Sequence, residues 1–188
     1  MSRILLNRIY YPVTVLGYGR RLGVWVQGCQ RGCPDCISPE MQAAEGTYVE
    51  VSEVTRQIPS NLKLDGLTVS GGEPFDQPDA VAELVRWYLD TYNDDILIYT
   101  GYTREALAER TDPALNWLLS HVAALVDGNY VAAQDTGRGS IGSSNQRLYL
   151  NRYQERYRDF AVKERRLQCI QETDRLYWIG IPPLKKER

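Results

Sequence analysis

The sequence predicts an α/β domain built from parallel βαβ units, and three observations carry that expectation. Short apolar runs at residues 22–27, 66–70, 95–99 and 122–126 are separated by stretches of helical character. Ile96-Leu97-Ile98 is a continuous apolar run, the pattern of a strand covered on both faces of its sheet. After Pro78, the residues Val81, Leu84, Val85, Tyr88, Leu89 and Tyr92 recur at the spacing of one helical face, and proline suits the first turn of such a helix.

In chain order, residues 3–15 carry Ile4, Leu5, Ile9 and Val13 with few polar breaks, which predicts one or two short strands ending at Gly17-Tyr18-Gly19. Arg20-Arg21 lead into the strand 22–27. Ser38-Pro39-Glu40 and Ala43-Ala44-Glu45-Gly46 predict a helical turn or an irregular segment, and Ser52 reads as the N-cap of a short helix over 53–58, with Glu53 placed for the helix dipole. The strand 66–70 ends in the turn Gly71-Gly72-Glu73-Pro74. Beyond the strand 95–99, Thr103 can cap a helix running to Arg110, and Pro113 starts another that ends near Ser120. The strand 122–126 ends at Asp127-Gly128. Residues 135–145, rich in Gly, Ser, Asp and Thr, predict a loop that is mobile or ordered by a partner. A helix is expected near 153–160, a closing strand over 176–181 before Pro182-Pro183, and a frayed tail over 184–188.

At 188 residues, with 43% hydrophobic and 24% charged residues, the chain suits one soluble domain over 1–188. The net charge of -2 (22 basic against 24 acidic residues) argues for neither nucleic acid nor membrane as a partner. The distribution is uneven. Residues 65–135 hold thirteen acids against three Arg, and residues 147–166 hold seven Arg or Lys against three acids. This asymmetry reads either as solvated faces of opposite sign or as a means of steering a partner. No apolar run approaches the length of a membrane span, and no signal-peptide pattern opens the chain, so a cytoplasmic address is expected.

Chemistry concentrates in the loop after the strand 22–27. Cys29, Cys33 and Cys36 stand at the spacing C-x3-C-x2-C, among Gly28, Gly32 and Pro34. Such a cluster is a metal or redox site rather than a disulfide framework. Three thiolates leave one position open, whereas a structural zinc site closes with four protein ligands. A [4Fe–4S] cluster held by three thiolates keeps one iron open. Zinc would need His121 or Cys169 as a fourth ligand. Cys169 otherwise reads as a small buried hydrophobe and His121 as the end of its helix. Cys33-Pro34-Asp35-Cys36 alone has the form of a thiol redox pair, against which the third cysteine argues. Ligands of open α/β sheets bind beyond the carboxyl ends of the strands, and the cysteine loop, the 71–74 turn, Tyr99-Thr100-Gly101-Tyr102 and Asp127 all fall there.

The cysteine spacing, then Val69-Ser70-Gly71-Gly72-Glu73-Pro74, Tyr99-Thr100-Gly101-Tyr102, Val126-Asp127-Gly128 and Gly142-Ser143-Ser144-Asn145-Gln146-Arg147, resemble in that order the radical S-adenosylmethionine enzymes. Within that superfamily the sequence is most similar to the activating enzymes of anaerobic ribonucleotide reductase, over about residues 23–150. Many radical enzymes place an aromatic residue between the last two cysteines. Pro34-Asp35 at that place fits the small activating class. The resemblance implies a partial (β/α) barrel of parallel strands, shortened to a small radical core. It implies a [4Fe–4S] cluster on Cys29, Cys33 and Cys36. It also implies S-adenosylmethionine held by Ser70, Gly71, Gly72, Glu73, Pro74, Thr100, Gly101, Tyr102 and Asp127, with the Glu73 carboxylate facing the methionine ammonium; Tyr102 reads equally as core, and Asp127 equally as a cap of the turn that follows it. One electron from a donor such as flavodoxin or ferredoxin then cleaves the sulfonium reductively to a 5′-deoxyadenosyl radical. In the activating enzymes that radical takes a hydrogen atom from a backbone glycine of a large glycyl-radical partner. Two other functions compete: a stand-alone radical enzyme acting on a peptide or small molecule, and a non-catalytic metal-binding interaction module.

Overall fold

The computed structural model describes residues 1–172 and 175–184. The described residues form nine strands and five α-helices, and the strands at residues 66–71, 96–99 and 124–127 alternate with helices as the apolar runs predict. Seven strands form one sheet in the order β3 (Tyr48–Glu50), β1 (Arg3–Val13), β2 (Arg21–Val26), β4 (Gly66–Gly71), β5 (Ile96–Tyr99), β6 (Ala124–Asp127) and β7 (Arg147–Leu150). The central four, β2-β4-β5-β6, are parallel. β1 and β3 extend one side antiparallel, and β7 runs antiparallel on β6. The sheet stays open, with β3 and β7 as its edges.

The continuous apolar run of β5 has the meaning expected of it. Ile96 and Ile98 face one layer, which holds α1 (Val51–Arg56), α2 (Pro78–Thr91), Leu107 of α3 (Arg104–Ala108) and α4 (Pro113–His121). Leu97 faces the other side. There it packs with Ala124, Val126, Tyr157 and Phe160. That second face is covered by the C-terminal segment: α5 (Gln154–Tyr157), the chain around Phe160, and a separate hairpin of β8 (Gln168–Glu172) and β9 (Arg175–Ile179). Residues 176–181 therefore do not close the main sheet. β9 pairs with β8, and Ile170 and Ile179 bury against Val13, Leu16, Trp25 and Met41.

The helix assigned to 53–58 begins earlier, at Val51, and Glu50 rather than Ser52 precedes it. Starting there puts Val51, Val54, Thr55 and Ile58 on the buried side, and the Val51 N–H donates to the Ser2 carbonyl. The cap expected at Thr103 forms, accepting the Ala106 N–H, and Asp112, not singled out from the sequence, caps α4 by accepting from the Ala114 and Leu115 N–H groups. Cys169 is exposed on β8, not buried. His121 ends α4, stacked on Trp117. Of the tail over 184–188, residues 185–188 lie outside the described residues.

Part of the uneven charge is paired within the fold. Asp94, Asp95, Glu105, Asp127 and Asp135, all from the acidic stretch, pair with Arg152, Arg156, Arg147 and Arg165 of the basic one. Its buried centre is Arg21. This fully buried guanidinium donates to Thr68 Oγ1, Leu67 O and Asp95 O and stands 3.2 Å from the Asp95 carboxylate, which also takes the Tyr157 hydroxyl at 2.6 Å. The sheet and the C-terminal segment are thus joined through charge as well as apolar area.

Candidate functional site

The site forms where the four parallel strands end. β2 delivers Gly28 and Cys29 directly. The loop is then fixed by backbone bonds to the 3-10 turn at Pro39–Met41 and its successor: Gly28 N–H to Met41 O and Cys29 N–H to Gln42 O, both 2.9 Å. The Gln27 side chain donates to Glu40 O and Ala43 O, and Gln42 Nε2 donates to Cys33 O. Ser38 N–H points at the Cys36 sulfur at 3.4 Å. The helical turn expected at residues 38–40 therefore serves as the clamp of the cysteine loop.

β4 runs alongside, and its end explains Gly71 and Gly72. Gly71 has φ +108°, a region that side chains disfavour. A Cβ on Gly72 would overlap the Gly28 carbonyl oxygen outright. Gly72 N–H donates to Val26 O and Glu73 N–H to Gly28 O, at 2.8 and 2.9 Å. The missing side chains let one backbone approach another, and so weld the 71–74 turn to the base of the cysteine loop.

Glu73 is buried, and its carboxylate accepts from Phe75 N–H, Thr100 Oγ1 and Gly101 N–H at 2.8–2.9 Å. It ties the β4 turn to the β5 turn. Burial pushes its pKa up to about 7, against the lowering effect of those three donors. Thr100, also buried, accepts in turn from Tyr102 N–H. The Cys29 thiol is pushed up, first by burial and then by the negative charge of Glu73 and Asp76.

These ends enclose a cavity of about 500 Å³, a size suited to a small cofactor. Cys29, Cys33 and Cys36 line it together with Ser70, Gly71, Gly72, Glu73, Thr100 and Gly101. Three residues expected there are turned elsewhere. Pro74 is buried behind the turn. The Tyr102 hydroxyl donates to Asp76 at 2.7 Å while Arg31 and Arg110 lie over its ring. Asp127 is fully buried, accepting from Arg104 N–H at 2.6 Å and pairing with Arg147 at 2.7 Å. It caps α3 and anchors β7, and its carboxylate has no reach into the cavity.

Gly142 and Gln146, from the motif at residues 142–147, also line the cavity, and Arg8, Arg31 and Leu167 join it without having been singled out from the sequence. Gln146 receives Gly142 and Ser143 N–H groups and donates to Gly128 O, so the Gly142–Gln146 motif folds back on the end of β6. Arg8 and Arg31 bring cations to the wall. Leu167 and residues 178–182 complete it from the C-terminal segment, where Arg165 binds Asp135, Gly139, Ile141, Gly142 and Pro182. The 135–145 loop is thereby tied to the chain's own C-terminal segment.

The three thiols suit a cluster. Among the described residues no three His, Cys, Asp or Glu side chains gather on a single ion. In a cluster each thiolate holds its own iron, so the sulfurs need to border a volume rather than meet at a point. Three free thiols on one cavity wall meet that need.

Comparison with known proteins agrees. Residues 15–149 match the model of the 4Fe-4S single cluster domain. The chain belongs to that family. The anaerobic ribonucleoside-triphosphate reductase-activating protein of Enterobacteria phage T4 is 28% identical over 151 residues, covering 77% of this chain and 93% of that protein. Those of Escherichia coli K12 and Salmonella typhi are each 30% identical over 149 residues, covering 73% of this chain and 93% of theirs. The relatives carry the name of the activating group that the motifs resemble. The family match stops at residue 149, so α5 and the β8–β9 hairpin lie beyond it. No helix among the described residues is long and apolar enough to cross a membrane.

Proposed function

We propose that this chain is a radical S-adenosylmethionine activase that installs a glycyl radical on an anaerobic ribonucleotide reductase, using a [4Fe–4S] cluster on Cys29, Cys33 and Cys36. One observation carries the reading: the three thiols share one open-mouthed cavity with the welded glycine turn and the end of β5. The fold is then a shortened, open (β/α) core, with four parallel strands in place of a full barrel.

When bound, the cluster would pass one electron from an external one-electron donor to S-adenosylmethionine, whose sulfonium would break into methionine and the adenosyl group that takes the partner's hydrogen atom. The chain's residues hold and shield that chemistry. Glu73 is the group for an ammonium: a carboxylate has about four lone-pair sites, and three are occupied by Phe75, Thr100 and Gly101, which leaves one. A bound ammonium also favours its ionised form, offsetting the burial that raises its pKa. Ser70 offers a hydroxyl from β4, and Arg31 brings a cation beside Gly101. The buried Ile179 and residues 180–182 wall the cavity off from solvent on the C-terminal side.

The reading is tested by electron paramagnetic resonance of anaerobically reconstituted, reduced protein. The reduced-cluster signal is expected to change on adding S-adenosylmethionine, and a glycyl radical to appear when the same organism's anaerobic reductase is added. A signal indifferent to the cofactor, or a Cys29→Ala protein that responds as the parent does, would overturn it.

A further inference from the structure

The β8–β9 hairpin has a face that the rest of the chain leaves bare. Its register sets Gln168 opposite Ile179, Cys169 opposite Trp178, Ile170 opposite Tyr177 and Gln171 opposite Leu176. Side chains alternate across a strand, so these pairs divide into two faces. Gln168, Ile170, Tyr177 and Ile179 turn inward. Ile170 and Ile179 are buried, Tyr177 lies under the Arg8 guanidinium at 4.0 Å, and Gln168 bonds to the Thr14 N–H and the Pro12 carbonyl. Cys169, Gln171, Leu176 and Trp178 turn outward. Leu176 and Trp178 are each 63% exposed. Covering the sheet requires only the inner face. A Trp and a Leu side by side on the outer one are not needed for that, and paired exposed apolar groups of this kind mark contact sites.

Three features say what the face meets. Trp178 also lines the cavity that holds the three cysteines, and residues 179–182 continue that wall, so the bare face begins at the cavity rim. The cations of the cavity wall, Arg8 and Arg31, are engaged within this chain, Arg8 over the Tyr177 ring and Arg31 on Asn129 and over the Tyr102 ring, so what the outer face of the hairpin offers is Leu176 and Trp178, apolar rather than ionic. In the activase reading, on which this step rests, the substrate is a large protein whose reacting segment must enter this cavity. Its surface is then laid against whatever borders the mouth.

We propose that the outer face of the β8–β9 hairpin, centred on Leu176 and Trp178, is the docking surface for an apolar patch on the reductase partner. The hairpin positions the partner over the cavity, and the chemistry stays with the cysteine loop. Trp and other apolar anchors at the centre of a patch carry most of the affinity of such contacts.

The test uses Leu176→Asp, with Leu176→Ser as a milder companion, because Leu176 is on the outer face and does not line the cavity. Reconstituted protein is given S-adenosylmethionine and dithionite, and two quantities are read. The first is 5′-deoxyadenosine formed without any partner, which is expected to match the parent and shows that the fold and cluster are intact. The second is the concentration of the same organism's anaerobic reductase giving half-maximal glycyl radical. It is expected to rise about tenfold or more for Leu176→Asp and less for Leu176→Ser, a tenfold rise being about 1.4 kcal/mol. An unchanged reductase concentration in a parent that does form the radical overturns the docking proposal alone. Loss of partner-free cleavage in both variants overturns it too, by making the hairpin a structural wall. Concentration-dependent self-association of the parent that Leu176→Asp abolishes would assign the face to a second copy of this chain instead. If the parent forms no glycyl radical on the reductase, the activase reading falls and the docking proposal with it.

Discussion

Replacing Gly72 by alanine should break the site without unfolding the protein. The added Cβ would overlap the Gly28 carbonyl oxygen and stand 2.7 Å from the Gly28 carbonyl carbon and 2.8 Å from the Met41 oxygen. All three obstacles are backbone, so no side chain can swing aside. Ordinary contact begins at 3.4 Å, so the Gly28 carbon alone must retreat by 0.7 Å (3.4 - 2.7). That movement strikes the bonds Glu73 N–H to Gly28 O and Gly28 N–H to Met41 O, which set the root of Cys29. Misplacement of about 1 Å in a reacting array costs on the order of a hundredfold in rate, so a loss between about tenfold and a hundredfold in S-adenosylmethionine cleavage is expected. Gly32→Ala is the control. Gly32 sits in the same loop at φ +59° with nothing within 4 Å of its added Cβ, so its alanine bears only the left-handed strain of about 1 kcal/mol. Anaerobic reconstitution, iron and sulfide content per chain, and the 5′-deoxyadenosine rate would be measured for both. A Gly72→Ala protein with parental cluster content and rate, or one no worse than Gly32→Ala, would refute the claim that close backbone approach is what the glycine serves.

Three further outcomes follow from the buried groups. Glu73 has a folded pKa raised to about 7 by burial, so the folded state holds its proton more tightly than the unfolded chain does. Stability from this group is therefore greatest below its unfolded pKa and falls as pH rises toward 7. The stability of the parent relative to Glu73→Gln should drop by about 3 kcal/mol or less between pH 5 and 8 in chemical denaturation, and a flat difference would contradict it. Arg21→Met leaves Asp95 buried with one of its two cations, and should cost about 3–5 kcal/mol, read as a fall of roughly 10 °C in Tm; a change under 2 °C would show that Arg156 alone suffices. Asp127→Asn should lower stability by about 1–2 kcal/mol through the lost cap and Arg147 pair, while the KM for S-adenosylmethionine stays at the parental value. A raised KM would return Asp127 to the cofactor site.

What could be read from the sequence was whatever depends on local spacing. The helical face from Val81 to Tyr92, the apolar run of β5 and the proline and threonine caps are short-range patterns, and each element stands where those patterns put it. The three cysteines, Ser70 and the glycine turn meet in one cavity because strand ends in a parallel sheet share a side. Direction was not readable. Thr100, Tyr102 and Asp127 all follow strand ends, but the choice between cavity and scaffold is made by partners distant in sequence: Glu73 for Thr100, Asp76 for Tyr102, Arg147 for Asp127. The short strands β3, β7 and β8 carry too few residues to show alternation, and they are fixed by pairing with β1, β6 and β9.

The C-terminal segment shows how a tertiary need lies behind what composition presents as a charge imbalance. A parallel sheet must be covered on both faces, and in this chain the four helices of residues 51–121 cover one. The other face shows Leu97, Ala124, Val126 and Trp25, which require an apolar cover of their own. Tyr157, Phe160, Ile170 and Ile179 supply it; the first two are carried by the arginine-rich stretch whose cations find the acids at the strand and loop ends, and the other two by the hairpin that follows it. Asp95 is the joint: one carboxylate, nearly out of solvent, meets Arg21 from β2, Arg156 from α5 and the Tyr157 hydroxyl. Such a joint fixes where the segment lies more than it adds net stability, because the desolvation of buried ions consumes most of their attraction. Fixed in that place, the segment brings residues 178–182 to the cavity wall. The same contacts that bury the second face of the sheet therefore shape the space above the cysteines, and the cover is part of the site.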